Sequence, residues 1–375
     1  MEFKREQSSD QVNEAESSTK TLSVAEMSEE TQSAPHKKSL AIKILVKIVK
    51  FAILAISILA LVKSLSSSWS QTKQIDWDLH YGWLVLSGVC YLIGFLPSSL
   101  FWYVSMKSLG QSPSKAKTII SYYFSQIGKY VPGKAMIVII RTGLISGKNT
   151  RPAIAALCVF YETIMMMGVG AFIGATLFMC YNQTQWKYSA IALLVGVGAL
   201  LPLIPPIFKR VVKLLRIGRG DEKMLESLEK LGFRTLFQGI ALMVVLWIFF
   251  GLSLWCAIRG LGVETEPIIR TLPRYITAST LGVSLGFFVV ASPGGLGVRE
   301  AITAAVLTPY LGILLSNPEN SALSITPGAL SAIISIIQRI VSILSELVAF
   351  LLLGGFVLFY RSRLQEDEEE LPRKA

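Results

Sequence analysis

Apolar residues run along this chain in long continuous blocks, separated by short stretches rich in lysine and arginine. A block of about 20 apolar residues is the length that crosses a bilayer as a helix. The blocks predict full spans at about 43–63, 81–104, 152–180, 187–208, 235–258 and 327–359. They do not alternate with period two, so a β-barrel is disfavoured. The fold class that follows is all-α, a polytopic membrane protein. Two further regions, 118–146 and 275–315, are apolar but interrupted. The first contains "GKYVPGK", Gly128 to Lys134, and the second "ASPGGLGVRE", Ala291 to Glu300.

Charge sets the expected topology. Lys107, Lys115 and Lys117 follow the second span, and the connection at 209–234 carries eight basic residues against four acidic ones. Cytoplasmic loops concentrate Lys and Arg, so both connections read as inside. The stretches 64–80, 181–186, 259–274 and 316–326 lack that excess and read as outside. Both termini then fall in the cytoplasm. This closes only if each interrupted region crosses an even number of times: as a re-entrant hairpin, or as two short crossings that would make eight spans. The chain divides into inverted halves at about 43–180 and 187–360, the inverted-repeat plan of secondary transporters. Residues 1–36 are Ser-, Glu- and Gln-rich, predicting a disordered cytoplasmic tail before a membrane domain at 37–360. No cleavable signal precedes that domain. The run "EDEEE", Glu366 to Glu370, marks 361–375 as a charged, solvated cytoplasmic tail.

Composition agrees, with 52% hydrophobic and only 16% charged residues against about 25% charged in an ordinary soluble chain. A net charge of +11 raises the question of nucleic acid. The basic residues sit at span ends and carry no nucleic-acid motif, so no such partner is expected. Cys90, Cys158, Cys180 and Cys256 form no CxxC pair, and no metal or cofactor is expected. Cys180 and Cys256 both fall near outer span ends, leaving a disulfide or buried free thiols open. Walker A, nucleophile-elbow and HExxH patterns are absent, and no catalytic residue is assigned.

The candidate chemistry lies in the interruptions. An unpaired backbone group in hydrocarbon costs several kcal/mol, so a break survives only where protein or a wet cavity covers it. Pro132-Gly133 and Pro293-Gly294-Gly295 break the two regions in corresponding places, with Gly297 close behind. Paired breaks of this kind point to a binding site, and helix ends there favour anions. Lys129, Lys134 and Arg141 accompany the first break; Arg299 and Glu300 accompany the second. These residues form the candidate substrate site. Charges inside spans are a second constellation: Glu162, Arg339 and Glu346. Such residues face the protein interior and find partners. Glu162 lies ten residues after Pro152 and Arg339 twelve after Pro327, suggesting a Glu162–Arg339 pair across the halves. The alternative pairs Arg339 with Glu346, two turns along one face.

The motifs "QIGKYVPGK…R" and "PGGLGVRE", about 160 residues apart, resemble the lysylphosphatidylglycerol synthase transmembrane-region family of flippase-like membrane proteins over roughly 43–360. In that family a Glu-Arg pair often stands where this chain has Glu162-Thr163, so Glu162 depends on a more distant cation. The resemblance implies a prokaryotic cell-membrane protein related to the flippase part of bacterial multiple-peptide-resistance factors. Those proteins move aminoacylated phospholipid between leaflets, and a separate soluble domain attaches the amino acid. About fifteen residues follow the last span here, so aminoacyl transfer by this polypeptide is not expected. The function expected is translocation of a phospholipid or lipid-linked headgroup. The alternatives are a membrane-embedded transferase on a lipid-linked substrate, with Glu162 or Glu300 as base, and a non-catalytic partner subunit. A homo-oligomer or a membrane enzyme partner is compatible with either.

Overall fold

A computed structural model describes residues 78–130, 135–147, 149–181, 186–218, 220–288, 297–320 and 325–370. The expected tail at 1–36 and first span at 43–63 lie outside the described residues, as do Pro132, Gly133, Lys134, Pro293, Gly294 and Gly295. In chain order the helices are α1 (Tyr81–Ser108), α2 (Lys115–Ser125), α3 (Ala135–Ile145), α4 (Pro152–Tyr181), α5 (Trp186–Leu200), α6 (Pro205–Leu214), α7 (Glu222–Glu229), α8 (Phe233–Arg259), α9 (Ile268–Phe288), α10 (Val298–Leu315) and α11 (Pro327–Glu370). Among the described residues, five helices are long and apolar enough to cross a membrane: α1, α4, α8, α10 and the Pro327–Gly355 part of α11. The protein is an all-α, multi-pass membrane protein.

The span expected at 187–208 is not one straight helix. Ala190–Leu203 and Pro205–Leu214 meet at a 75° bend. Pro202, Pro205 and Pro206 cause it: a proline inside a helix removes a backbone donor and clashes with the preceding turn. Beyond the bend, α6 turns Lys209 and Lys213 onto Glu229 at the end of α7. These lysines hold the Glu229 carboxyl below the usual carboxylate range. The charged stretch at 361–370, expected as a tail, continues the α11 helix to Glu370.

The centre of the bundle is the antiparallel seam of α1 and α8. Its direction follows from its ends: His80 N–H donates to Gly260 O, while Phe101 packs at Gly239. Small residues let two helices approach closely. A Cβ on Gly94 would lie 2.7 Å from the Phe250 ring. Polar groups on the seam satisfy one another. Ser87 Oγ donates to Ser253 O and Ser253 Oγ to Ser87 O, each at 2.7 Å, and Gln338 Nε2 donates to Ser253 Oγ at 2.9 Å. Tyr91, Phe95, Trp247 and Phe250 form an aromatic core beside this node. All four cysteines are free; Cys256 is buried and contacts Cys90, while Cys180 is exposed. The optional Cys180–Cys256 disulfide is therefore not formed.

The first interrupted region folds as α2, a 3-10 turn at Gln126–Tyr130, and α3. With 11 residues, α3 is about 16 Å long, roughly half the hydrocarbon thickness, too short to cross alone. It packs back against α2 and the turn. Gly128 is what permits that approach. A Cβ there would lie 2.8 Å from the Ile137 amide nitrogen, a backbone atom that cannot rotate away. Gly128→Ala should therefore cost about 1–3 kcal/mol of stability, the range for overpacking. Thermal unfolding of purified protein in detergent measures it, and an unchanged midpoint would show that the two arms do not meet as described.

The second interrupted region differs. Its arms, α9 and α10, have 21 and 18 residues, about 31 and 27 Å. It begins at Ile268 rather than near 275. Arg270, Pro273 and Arg274 occupy the first turns of α9 and interrupt the apolar pattern there. The two interrupted regions are thus unequal in length.

Candidate functional site

α1, the α2–α3 hairpin, α4, α8, α9, α10 and α11 enclose a cavity of about 290 Å³. Most of its wall is apolar, from side chains such as Val138, Phe160, Met166 and Phe287, yet four cations line it: Lys129, Arg141, Arg299 and Arg339. It lies near mid-height of the spans. Glu162 is ten residues into the 30-residue α4, and Arg339 is twelve into the 29-residue span of α11. Unpaired charge at such depth is costly, so the partners matter.

Arg141, on α3, donates from Nη1 to Glu162 Oε2 at 2.9 Å, and both side chains are 3% exposed. Arg141 Nε also donates to Ser125 Oγ at 3.1 Å, and the Tyr122 ring lies 4.0 Å from the guanidinium. Glu162 Oε1 accepts from Ser98 and from Tyr122 at 3.1 Å. The pair is buried and its polar atoms are engaged, the condition for keeping charge in a low-dielectric interior.

Lys129, in the 3-10 turn, pairs with Glu346 on α11. Tyr91 and Tyr130 complete the carboxylate's coordination, donating at 2.6 and 2.8 Å. The ammonium also lies between 5 and 6 Å from the Tyr91, Phe95 and Tyr130 rings, within cation–π range. Lys129 and Tyr130 thus tie the first hairpin to the last span.

The third pair is looser. Arg339 Nε is 3.7 Å from Glu300 Oε1, beyond hydrogen-bond distance. The other Glu300 oxygen accepts the Gly297 N–H at 2.7 Å, a cap at the start of α10. Gly297 has φ +83°, a left-handed conformation that glycine adopts without strain. Arg299 follows, half-buried, with no carboxylate partner among the described residues. A second cavity of about 20 Å³ adjoins, lined by Tyr91, Arg299, Glu300, Gln338 and Arg339 among others.

The structure places Lys129, Arg141, Glu162, Arg299 and Arg339 on the wall of the large cavity and Glu300 on the small one, with Glu346 bonded to Lys129 and Gly297 to Glu300, but the partnerships differ from those expected. Glu162 pairs with Arg141 rather than Arg339, and Glu346 with Lys129 rather than Arg339. The reason is the hairpin. α3 packs back against α2 and the 3-10 turn, so cations that read as ligand groups meet the carboxylates of the spans first. Arg141 also supplies the cation that Thr163 does not; the Thr163 hydroxyl donates to Val159 O. Sequence reasoning missed the phenols of Tyr91, Tyr122 and Tyr130 and the hydroxyls of Ser98 and Ser125. Their signal was proximity: "SYYFSQIGKY" places two of the tyrosines and Ser125 beside the broken motif. Among the described residues, no group of three His, Cys, Asp or Glu could hold a metal ion.

The sequence model of one protein family, described as Lysylphosphatidylglycerol synthase TM region, matches residues 47–325. No curated protein matches the chain.

Proposed function

This chain belongs to the lysylphosphatidylglycerol synthase TM region family, and from that premise we propose that it moves an anionic phospholipid or lipid-linked headgroup between leaflets. The observation that carries the proposal is the mid-height cavity, apolar in most of its wall yet lined by four cations. Three carboxylates answer those four cations among the described residues, leaving one positive charge in excess. A phosphate crossing hydrocarbon must shed its hydration, and fixed cations lower that barrier. Phe160 lines the cavity and is also exposed on the outer surface, so acyl chains can remain in lipid while the headgroup passes inside.

The proposal includes an inverted repeat of the two halves, which two contacts support. The reciprocal Ser87–Ser253 bonds on the antiparallel α1–α8 seam are what a two-fold axis in the membrane plane produces. Each broken region also supplies one charge to the span that follows it, with opposite sign: Arg141 to Glu162 on α4, and Glu300 to Arg339 on α11. The inverted arrangement, with both termini cytoplasmic in a prokaryotic cell membrane, would let the hairpins open the cavity alternately to either side. Of the two carboxylates that could serve a transferase as base, Glu162 has both oxygens occupied by donors, and Glu300 holds the Gly297 N–H with one oxygen.

Reconstitution into liposomes tests this. Labelled phosphatidylglycerol should redistribute between leaflets faster than in protein-free vesicles and faster than labelled phosphatidylcholine. Equal rates with and without the protein would remove the reading.

A further inference from the structure

We propose that Arg339, with Arg299 beside it, is the seat of the phosphate anion, and that Glu300 is the internal carboxylate which competes with the anion for Arg339. The proposal rests on the reading of the cavity as a headgroup site. The four cations differ in what they have left to offer. Lys129 is taken by Glu346 and Tyr91, and Arg141 by Glu162 and Ser125. The side chain of Arg339 is 7% exposed, yet its Nε and Nη2 donate to no described residue. Those two donors share one edge of the planar guanidinium. That edge is the fork which takes two oxygens of a phosphate side by side. Arg339 and Arg299 both line the large cavity and the small one, so the fork faces the space in which a headgroup would lie.

Glu300 is placed to compete and not to win. Its Oε1 also has no described donor, and it stops 3.7 Å short of Arg339. Its Oε2 is held by the Gly297 N–H at the start of α10, so closing the gap would release that cap. Buried polar groups left unpaired on both sides of one gap are uncommon in native proteins and need a reason. A phosphate supplies one on the arginine side. It would satisfy both Arg339 donors and pair with Arg299, while Glu300 stays on its cap. The saturated Arg141–Glu162 pair in the other half offers no comparable edge.

The ligand chemistry is a phosphate oxyanion, from a lipid headgroup or from free phosphate. The test titrates dioleoylphosphatidylglycerol and, separately, inorganic phosphate against the purified full chain in detergent. Thermal stabilisation and native mass spectrometry are the readouts. Arg339→Lys keeps the charge but loses the fork, and should weaken binding about tenfold. Glu300→Gln keeps an acceptor for Gly297 but removes the competing charge, and should tighten binding about tenfold, within the usual range of coupling between sites. The Glu300→Gln result also stands alone if Arg339→Lys proves unstable. Wild-type affinity in both variants would overturn the seat. If inorganic phosphate shows this pattern and phosphatidylglycerol does not bind, the seat stands and the lipid reading fails. If phosphatidylglycerol crosses between leaflets with wild-type binding and rate in both variants, the lipid reading stands and the seat fails.

Discussion

Arg141→Gln should be among the most destabilising single substitutions in this protein, costing about 3–5 kcal/mol, the range for removing one partner of a buried ion pair. The size follows from what is left behind. Glu162, buried within the α4 span, would keep its bonds to Ser98 and Tyr122 but lose its cation. Ser125 and the Tyr122 ring would lose their shared neighbour at the same time. The damage should be specific to charge. Glu162→Gln in the same background removes the stranded carboxylate and should return part of the loss. A double-mutant cycle on thermal midpoints in detergent then gives a coupling of several kcal/mol. Additive effects would mean that the 2.9 Å pair contributes no more than its two side chains separately.

Lys129→Met should be nearly as costly, again about 3–5 kcal/mol, with a different signature. Lys129 is the cation that ties the first hairpin to α11 through Glu346, and Met keeps its apolar stem while deleting the charge. Glu346 would remain with two phenol donors only. The hairpin should loosen more than the rest of the bundle. Hydrogen–deuterium exchange should rise in residues 126–145 and stay near wild type on the α1–α8 seam. Uniform destabilisation, or unchanged exchange in the hairpin, would show that the lysine does not anchor it. Adding Glu346→Gln should bring part of the protection back.

Both results concern contacts that the chain does not announce locally. Spans α1, α4, α8 and α11 were legible because their apolar blocks are long and lightly charged. The bend between α5 and α6 was visible as three prolines, but a reading by length alone counted one straight span through them. The start of α9 was hidden by Arg270, Pro273 and Arg274. Most of the charged residues at the cavity were found from two rules: charge is expensive in a membrane, and broken helices survive only beside a cavity. The partnerships were not found. Partnering depends on how closely α3 packs back on the turn, which Gly128 permits through a backbone approach to Ile137. Such a contact leaves no periodicity in the sequence. The tyrosines that complete the Glu162 and Glu346 environments look like ordinary core aromatics until the carboxylates are placed next to them.

In the proposed function an anionic headgroup crosses at the cation-lined cavity. Leaflet-resolved movement of phosphatidylglycerol in proteoliposomes, compared between wild type and Arg299→Ala, tests it most directly. Arg299 has no carboxylate partner among the described residues, so its removal strands no buried acid and should leave the fold intact. The rate should be at least about tenfold lower for the variant, the loss expected when one charge-assisted contact to a desolvated anion is removed. Equal rates from equally folded wild type and variant would contradict it.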